Sequence, residues 1–173
     1  PAAFDCLLGS SDVVVDFSSP AAACVFAAAC AKARKPFVTG TTGFSEKQLA
    51  ALKAAGRRTA VFFSPNMSPA VNLTFALAAL AAKKLKGFDI HISEAHHTAK
   101  KDAPSGTALR YAAHIALARG GELPPISSVR AGDIVGDHTV LFAGPHERVE
   151  LKHMAHSRAV FAAAVCARQT LNQ

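Results

Sequence analysis

Residues 94–108 read Glu94-Ala95-His96-His97-Thr98-Ala99-Lys100-Lys101-Asp102-Ala103-Pro104-Ser105-Gly106-Thr107-Ala108, the stretch of the chain richest in groups able to do chemistry. A strand pattern runs into it and a helix pattern runs out of it, so it reads as a loop between a strand end and a helix start. In such a loop two imidazoles and a lysine can converge, and both residue types can carry a proton. Ser105, Gly106 and Thr107 place backbone N–H groups and hydroxyls at the positive end of the helix, where an anion is stabilised. The combination describes a carboxylate site beside proton-transfer groups. Taken singly, each residue has a plainer reading: adjacent histidines are often surface residues, and a lysine pair is usually a solvated face.

The elements around this loop must hold it. Positions 12–17 form a compact β-branched run. Ser18, Ser19 and Pro20 then supply a helix cap and a helix-compatible proline before an Ala-rich segment ending in basic residues. A short strand at 36–39 runs into the turn Gly40-Thr41-Thr42-Gly43, after which Ser45 and Gln48 make a capping-box pattern for a helix stopped by Gly56. Positions 59–63 supply the next strand. Strands alternating with helices at this spacing imply parallel βαβ units, whose ligands sit at the carboxyl ends of the strands.

Further on, an amphipathic helix spans about 72–86, a strand 88–95, and a helix begins near Pro104 and ends at Gly120. The pattern then changes: 138–143 and 148–155 alternate like antiparallel strands around Gly144-Pro145, and 157–171 closes as a helix. The expected architecture is α/β, with an incomplete Rossmann-like parallel sheet and a second α+β domain built on a mixed open sheet.

Composition narrows the function. With 173 residues, half of them hydrophobic, the chain can bury a real core. Its longest apolar stretch, 21–31, is cut by Lys32, Arg34 and Lys35, so no membrane span or targeting segment is read. Four cysteines without a CxxC pair suggest neither a disulfide framework nor a zinc site, and the expected compartment is a reducing cytoplasm. The net charge of +7 favours anionic partners, but the basic residues are scattered and no Trp is present, so nucleic acid is not expected as a partner. His91, His114 and His153 fall within strand or helix patterns as packed or surface residues, and His138, His146 and His156 lack metal-ligand spacing. No metal site is expected.

The stretch 94–108 matches the signature E-x-H-H-x-x-K-x-D-A-P-S-G-T-A throughout, and on it the chain resembles the dihydrodipicolinate reductase family. Further matches are Asp16-Phe17-Ser18-Ser19-Pro20, Gly40-Thr41-Thr42-Gly43-Phe44, Ser64-Pro65-Asn66-Met67-Ser68, Arg130 through Thr139, and Glu147-Arg148-Val149-Glu150-Leu151. The resemblance implies hydride transfer from NADH or NADPH to a small cyclic dicarboxylate in lysine and diaminopimelate synthesis. It implies His96 and Lys100 as the proton-handling pair, and His97, Gly106 and Thr107 as substrate-holding residues. Gly40, Thr41, Thr42, Ser64, Pro65, Asn66 and Met67 would line the cofactor, although 64–67 also reads as a simple strand-to-helix connection with Met67 in the core. Asp102 is expected to brace its loop, and Asp133, Asp137 and His138 to be architectural. Residues 1–67 and 163–173 would be the remainder of a dinucleotide-binding domain, and 68–162 a substrate-binding domain through which four copies form a homotetramer.

The chain also departs from that family. Its members begin with a strand and a loop of the form G-x-x-G-x-x-G that holds the cofactor pyrophosphate, and nothing here matches it. The connector at 121–130 is short and the C-terminus ends early, so the expectation is an incomplete chain rather than a divergent protein, and preference between NADH and NADPH is unreadable. Two rival readings remain at this level. One is a related two-domain oxidoreductase acting on another anion, which would bring a different signature or a catalytic cysteine. The other is a non-catalytic binding module that retains only the fold.

Overall fold

The computed structural model describes residues 2–157 and 159–160. They fall into two compact units that divide between Pro65 and Asn66.

The first unit opens with a helix that the sequence pattern does not mark, α1 (Ala2–Ser10), and continues through β1 (Val14–Asp16), α2 (Pro20–Ala33), β2 (Phe37–Thr39), α3 (Glu46–Ala55) and β3 (Val61–Phe63). The strands pair in parallel in the order β1-β2-β3, so α2 and α3 are crossovers. Local signals set the helix starts. Ser19 caps α2 with Pro20 in its first turn, and Ser45 and Gln48 close a reciprocal capping box on α3. Ala23, Ala27 and Cys30 of α2 lie against Phe37 and Leu52, and the small alanine side chains let the helix approach the sheet closely. Each strand is shorter than its sequence pattern, because only 14–16, 37–39 and 61–63 find ladder partners.

The second unit contains α4 (Pro69–Lys84), β4 (Asp89–His96), α5 (Gly106–Arg119), β5 (Ile126–Arg130), β6 (Asp137–Ala143) and β7 (Arg148–Met154). Its sheet is mixed, in the order β5-β4-β6-β7: β5 lies parallel to β4 across the α5 crossover, while β6 and β7 are antiparallel. Strand β5 is a second element that the sequence pattern does not mark. Its residues Ile126-Ser127-Ser128-Val129-Arg130 have weak alternation, and only pairing with β4 makes them a strand. Ile90, Ile92, Val140 and Phe142 point to one face, where they pack against Val71, Phe75, Ala78, Tyr111 and Ile115 of α4 and α5. The helix expected at 157–171 and the segment 163–173 assigned to the first domain lie outside the described residues.

Candidate functional site

Period two along β4 carries Ile90, Ile92, Glu94 and His96 to the same face. The first pair enters the core. The second pair reaches the carboxyl end of the strand, where α5 begins. The Glu94 side chain is fully buried, yet donors surround it. Oε1 accepts from the Ser105 amide at 3.1 Å and Arg130 Nη2 at 2.8 Å, and Oε2 accepts from Arg130 Nη1 at 2.9 Å and His96 Nδ1 at 2.5 Å. Burial by itself raises this carboxyl. The hydrogen bonds from Arg130, Ser128, His96 and the Ser105 amide outweigh it and hold the group down at about 2. An ionised carboxylate only accepts, so Nδ1 of His96 carries the proton.

Burial lowers His96 from its ordinary value, and Lys100 and Arg130 add to that, against the opposing pull of Glu94. Its ring stands edge-on to His138, with centroids 5.2 Å apart. A Cβ on Gly136 would come within 3.1 Å of His96 Nε2, so the absence of a side chain there leaves room for that nitrogen. His138 is buried and pushed down to about 3, first by burial and then by the charge of His96. Its Nε2 shares a 3.1 Å hydrogen bond with Ser105 Oγ, and its Nδ1 has no partner among the described residues.

The loop after His96 is pinned at several points. Arg130 Nη2 donates to the Asp102 carbonyl at 2.6 Å, Lys100 Nζ pairs with the Asp102 carboxylate at 2.7 Å, and the Thr98 amide donates to the Gly132 carbonyl at 3.1 Å. Asp102 thus braces the loop, as its position suggested. Ser105 is the N-cap of α5, and its Oγ accepts from the Ala108 amide. Gly106 is exposed at the first turn and Thr107 is half-buried. Asn66 Nδ2 donates to Thr107 Oγ1 at 3.2 Å, which leaves the threonine hydroxyl hydrogen able to point elsewhere. His97 is half-buried beside the loop.

In the first unit, Asp16 organises the strand ends. Its Oδ2 accepts from the hydroxyls of Thr39 at 2.7 Å and Thr41 at 2.8 Å, and its Oδ1 accepts from the amide and hydroxyl of Ser18. Burial raises this carboxyl, but the Ser18, Thr39 and Thr41 bonds prevail and lower it. The Thr41 hydroxyl is therefore engaged within the protein, while Thr42 is exposed. A Cβ on Gly40 would run into the Phe17 ring, so glycine lets that half-exposed ring lie over the turn. Ser64 is half-buried and Pro65 exposed. Met67 is buried, 2% exposed, so its side chain is core and only its backbone is left to face a ligand.

The structure therefore brings His96, Lys100 and the start of α5 onto one loop and holds Thr107 against Asn66. Glu94 and Arg130 join the site without having been given a role by sequence reasoning, and His138, expected to be architectural, lies beside them. The signal is present in part: a glutamate alternating in phase with two isoleucines must point into the core, and a buried carboxylate demands partners. That Arg130 and His138 supply its surroundings follows from strand pairing, since Glu94 lies opposite Ser128 of β5 and His138 of β6.

A parallel α/β unit followed by a mixed sheet, with a loop from a strand end into a Ser105-capped helix, is the arrangement of two-domain oxidoreductases. Among solved structures, dipicolinate-bound dihydrodipicolinate reductase from a Paenisporosarcina species superposes with a TM-score of 0.75 at 28% identity, covering 91% of this chain and 67% of that one. The family description "Dihydrodipicolinate reductase, N-terminus" matches residues 2–67, and "Dihydrodipicolinate reductase, C-terminus" matches 70–172. Curated proteins named 4-hydroxy-tetrahydrodipicolinate reductase are similar throughout. That of Laribacter hongkongensis is 46% identical over 91% of this chain, and that of Thiobacillus denitrificans 49% identical over 90%. The chain belongs to the dihydrodipicolinate reductase family. It spans about two thirds of the length of these relatives, 67% and 66%.

Proposed function

We propose that this protein reduces 4-hydroxy-tetrahydrodipicolinate to tetrahydrodipicolinate with NADH or NADPH, a step of lysine and diaminopimelate synthesis in the cytoplasm. The observation that carries the reading is the loop itself: proton-bearing side chains at the end of β4 lie one short loop from the helix start that would take a carboxylate. In this reading the first unit is the remainder of a dinucleotide-binding domain and the second holds the substrate. Residues 40–42 and 64–67 would line the cofactor. Asp16 stiffens the first of these segments by holding Thr41. These two strand-end segments, with Thr42 exposed and Ser64 half-buried, are assigned to the nicotinamide side of the dinucleotide.

The cofactor, when bound, supplies a hydride to the substrate ring. The chain's own residues handle everything else. Gly106 and Thr107 at the α5 start, together with His97, would hold the substrate carboxylates. The electron density left by hydride addition has to be protonated. Lys100 brings an ammonium proton, and His96, neutral near pH 7 because burial lowers it, exchanges protons at Nε2. Among the described residues, the helices of the second unit lie on one sheet face only. Val129 and Met154 stand about half exposed, 51% and 49%, on the other, which supports self-association through that face into a homotetramer.

The test is steady-state turnover of the protein with the dicarboxylate substrate. NADH and NADPH are assayed separately. Lys100→Ala and His96→Ala should each lower kcat by roughly 10²-fold or more, the scale for a positioned proton donor, with cofactor affinity almost unchanged. Turnover with neither cofactor, or near-wild-type kcat in both variants, refutes the assignment.

A further inference from the structure

The central contact of the second unit is not between groups assigned to substrate or cofactor. It is the buried carboxylate behind them. Glu94 Oε2 meets His96 Nδ1 at 2.5 Å, while Oε1 meets the Ser105 amide at 3.1 Å, so one side chain touches both the proton-exchanging imidazole and the first turn of the anion-accepting helix. Arg130 grips both oxygens, at 2.9 and 2.8 Å. We propose that Glu94 is a positioning residue: it selects the His96 tautomer protonated at Nδ1, which leaves Nε2 as the nitrogen presented for proton exchange, and locks that imidazole in register with the start of α5.

Three features of the surroundings support this. The carboxylate has no freedom to rotate away, because Arg130 and the Ser105 amide occupy its remaining lone pairs. Arg130 neutralises the charge of Glu94, so the carboxylate acts on His96 chiefly through geometry rather than by making it strongly basic. On the far side of the ring, Gly136 leaves Nε2 unobstructed where any side chain would crowd it at 3.1 Å. Only the presence of a substrate at Nε2 rests on the functional reading above.

Replacing Glu94 by glutamine should invert the tautomer. The amide oxygen would turn to the side with two fixed donors, the Ser105 amide and Arg130 Nη2, and the NH2 would then face His96. A donor there forces Nδ1 to accept. The outcome parallels the loss of kcat when the aspartate of a serine-protease triad becomes asparagine, an effect of the wrong tautomer.

Long-range 1H–15N spectra of the 173-residue chain read the tautomer directly, with no ligand or turnover. Wild-type His96 should be Nδ1–H at pH 7. In Glu94→Gln it should be predominantly Nε2–H, and Glu94→Asp, which keeps the charge, should restore the Nδ1–H form at least in part. In the turnover assay, Glu94→Gln should lower kcat roughly 10²-fold or more with less than a few-fold change in KM. Nε2–H in the wild type, or an unchanged tautomer in Glu94→Gln, overturns the proposal. Should Glu94→Gln fail to fold, Arg130→Lys decides instead, since it leaves the carboxylate in place and must leave His96 as Nδ1–H. If the wild type shows the Nδ1–H form but no turnover, it is the functional reading that fails, not this one.

Discussion

Thr107 shows how a single side chain is readied at the residue scale. Its Oγ1 accepts from Asn66 Nδ2 at 3.2 Å, so its own hydrogen is available to donate to another acceptor. Thr107→Val should raise KM for the dicarboxylate by about 10-fold or more, from losing a hydrogen bond of roughly 1.5 to 3 kcal/mol to a charged group, while kcat falls much less. Thr107→Ser should recover most of the affinity. An equal loss in Thr107→Ser would mean that the hydroxyl alone is not what matters. Asn66 is the partner that sets this geometry: the sequence suggests a cofactor-lining residue, and its side chain proves to be buried and turned toward Thr107, with its Oδ1 accepting from the Ser68 amide at 3.0 Å.

Strands β4 and β6 carry Glu94, His96 and His138 on their helix-facing side, and this gives the unit a defined response to acid. His138 is pushed down to about 3 from 6.5, and Glu94 held at about 2 from 4.5. Both shifts mean that the folded state binds fewer protons than the unfolded state, so stability rises with pH. The His138 contribution is present above pH 6.5 and is lost as pH falls toward 3; the Glu94 contribution is lost between 4.5 and 2. Urea midpoints measured at about pH 7, 6 and 5 should therefore decline, and His138→Gln should make that decline shallower. An identical slope in the variant would show that His138 is not buried as a neutral ring. Arg130 links this face to β5, and its removal would leave Glu94 as an unpaired buried charge, among the more damaging changes a core can suffer.

Among the described residues, α4 and α5 cover one side of the second unit's sheet and no helix lies on the other. That face mixes apolar and charged residues: Val129 at its β5 edge, and Met154, Lys152, Glu150 and Arg148 along its β7 edge, with Arg148 Nε 3.5 Å from Glu150. If four copies meet there, light scattering at micromolar concentration should give a tetramer, and Met154→Lys with Val129→Lys should dissociate it without unfolding the monomer. A monomer in the unaltered protein would exclude that face as an interface. Among the described residues, no helix is long and apolar enough to cross a membrane.

The sequence by itself determined what depends on local chemistry. Ser19-Pro20, the Ser45 and Gln48 capping box, and Ser105 before Gly106 each start a helix by satisfying its own first N–H groups, so neighbours in sequence suffice. Alternation marks β4, β6 and β7 as strands, and the signature at 94–108 carries the family. Tertiary structure decided what depends on which strands meet. The pattern of residues 126–130 is not one that any local rule would favour: Ile126–Arg130 becomes a strand only against β4, and through that pairing Arg130 reaches a glutamate distant in sequence. The resemblance implies that Met67 and Thr41 line the cofactor, with a place in the core as the other reading of Met67; packing buries the Met67 side chain and Asp16 engages the Thr41 hydroxyl. Periodicity tells a side chain which face to take, but only the fold supplies the partner waiting there, and a buried charge such as Glu94 has its character set by that partner.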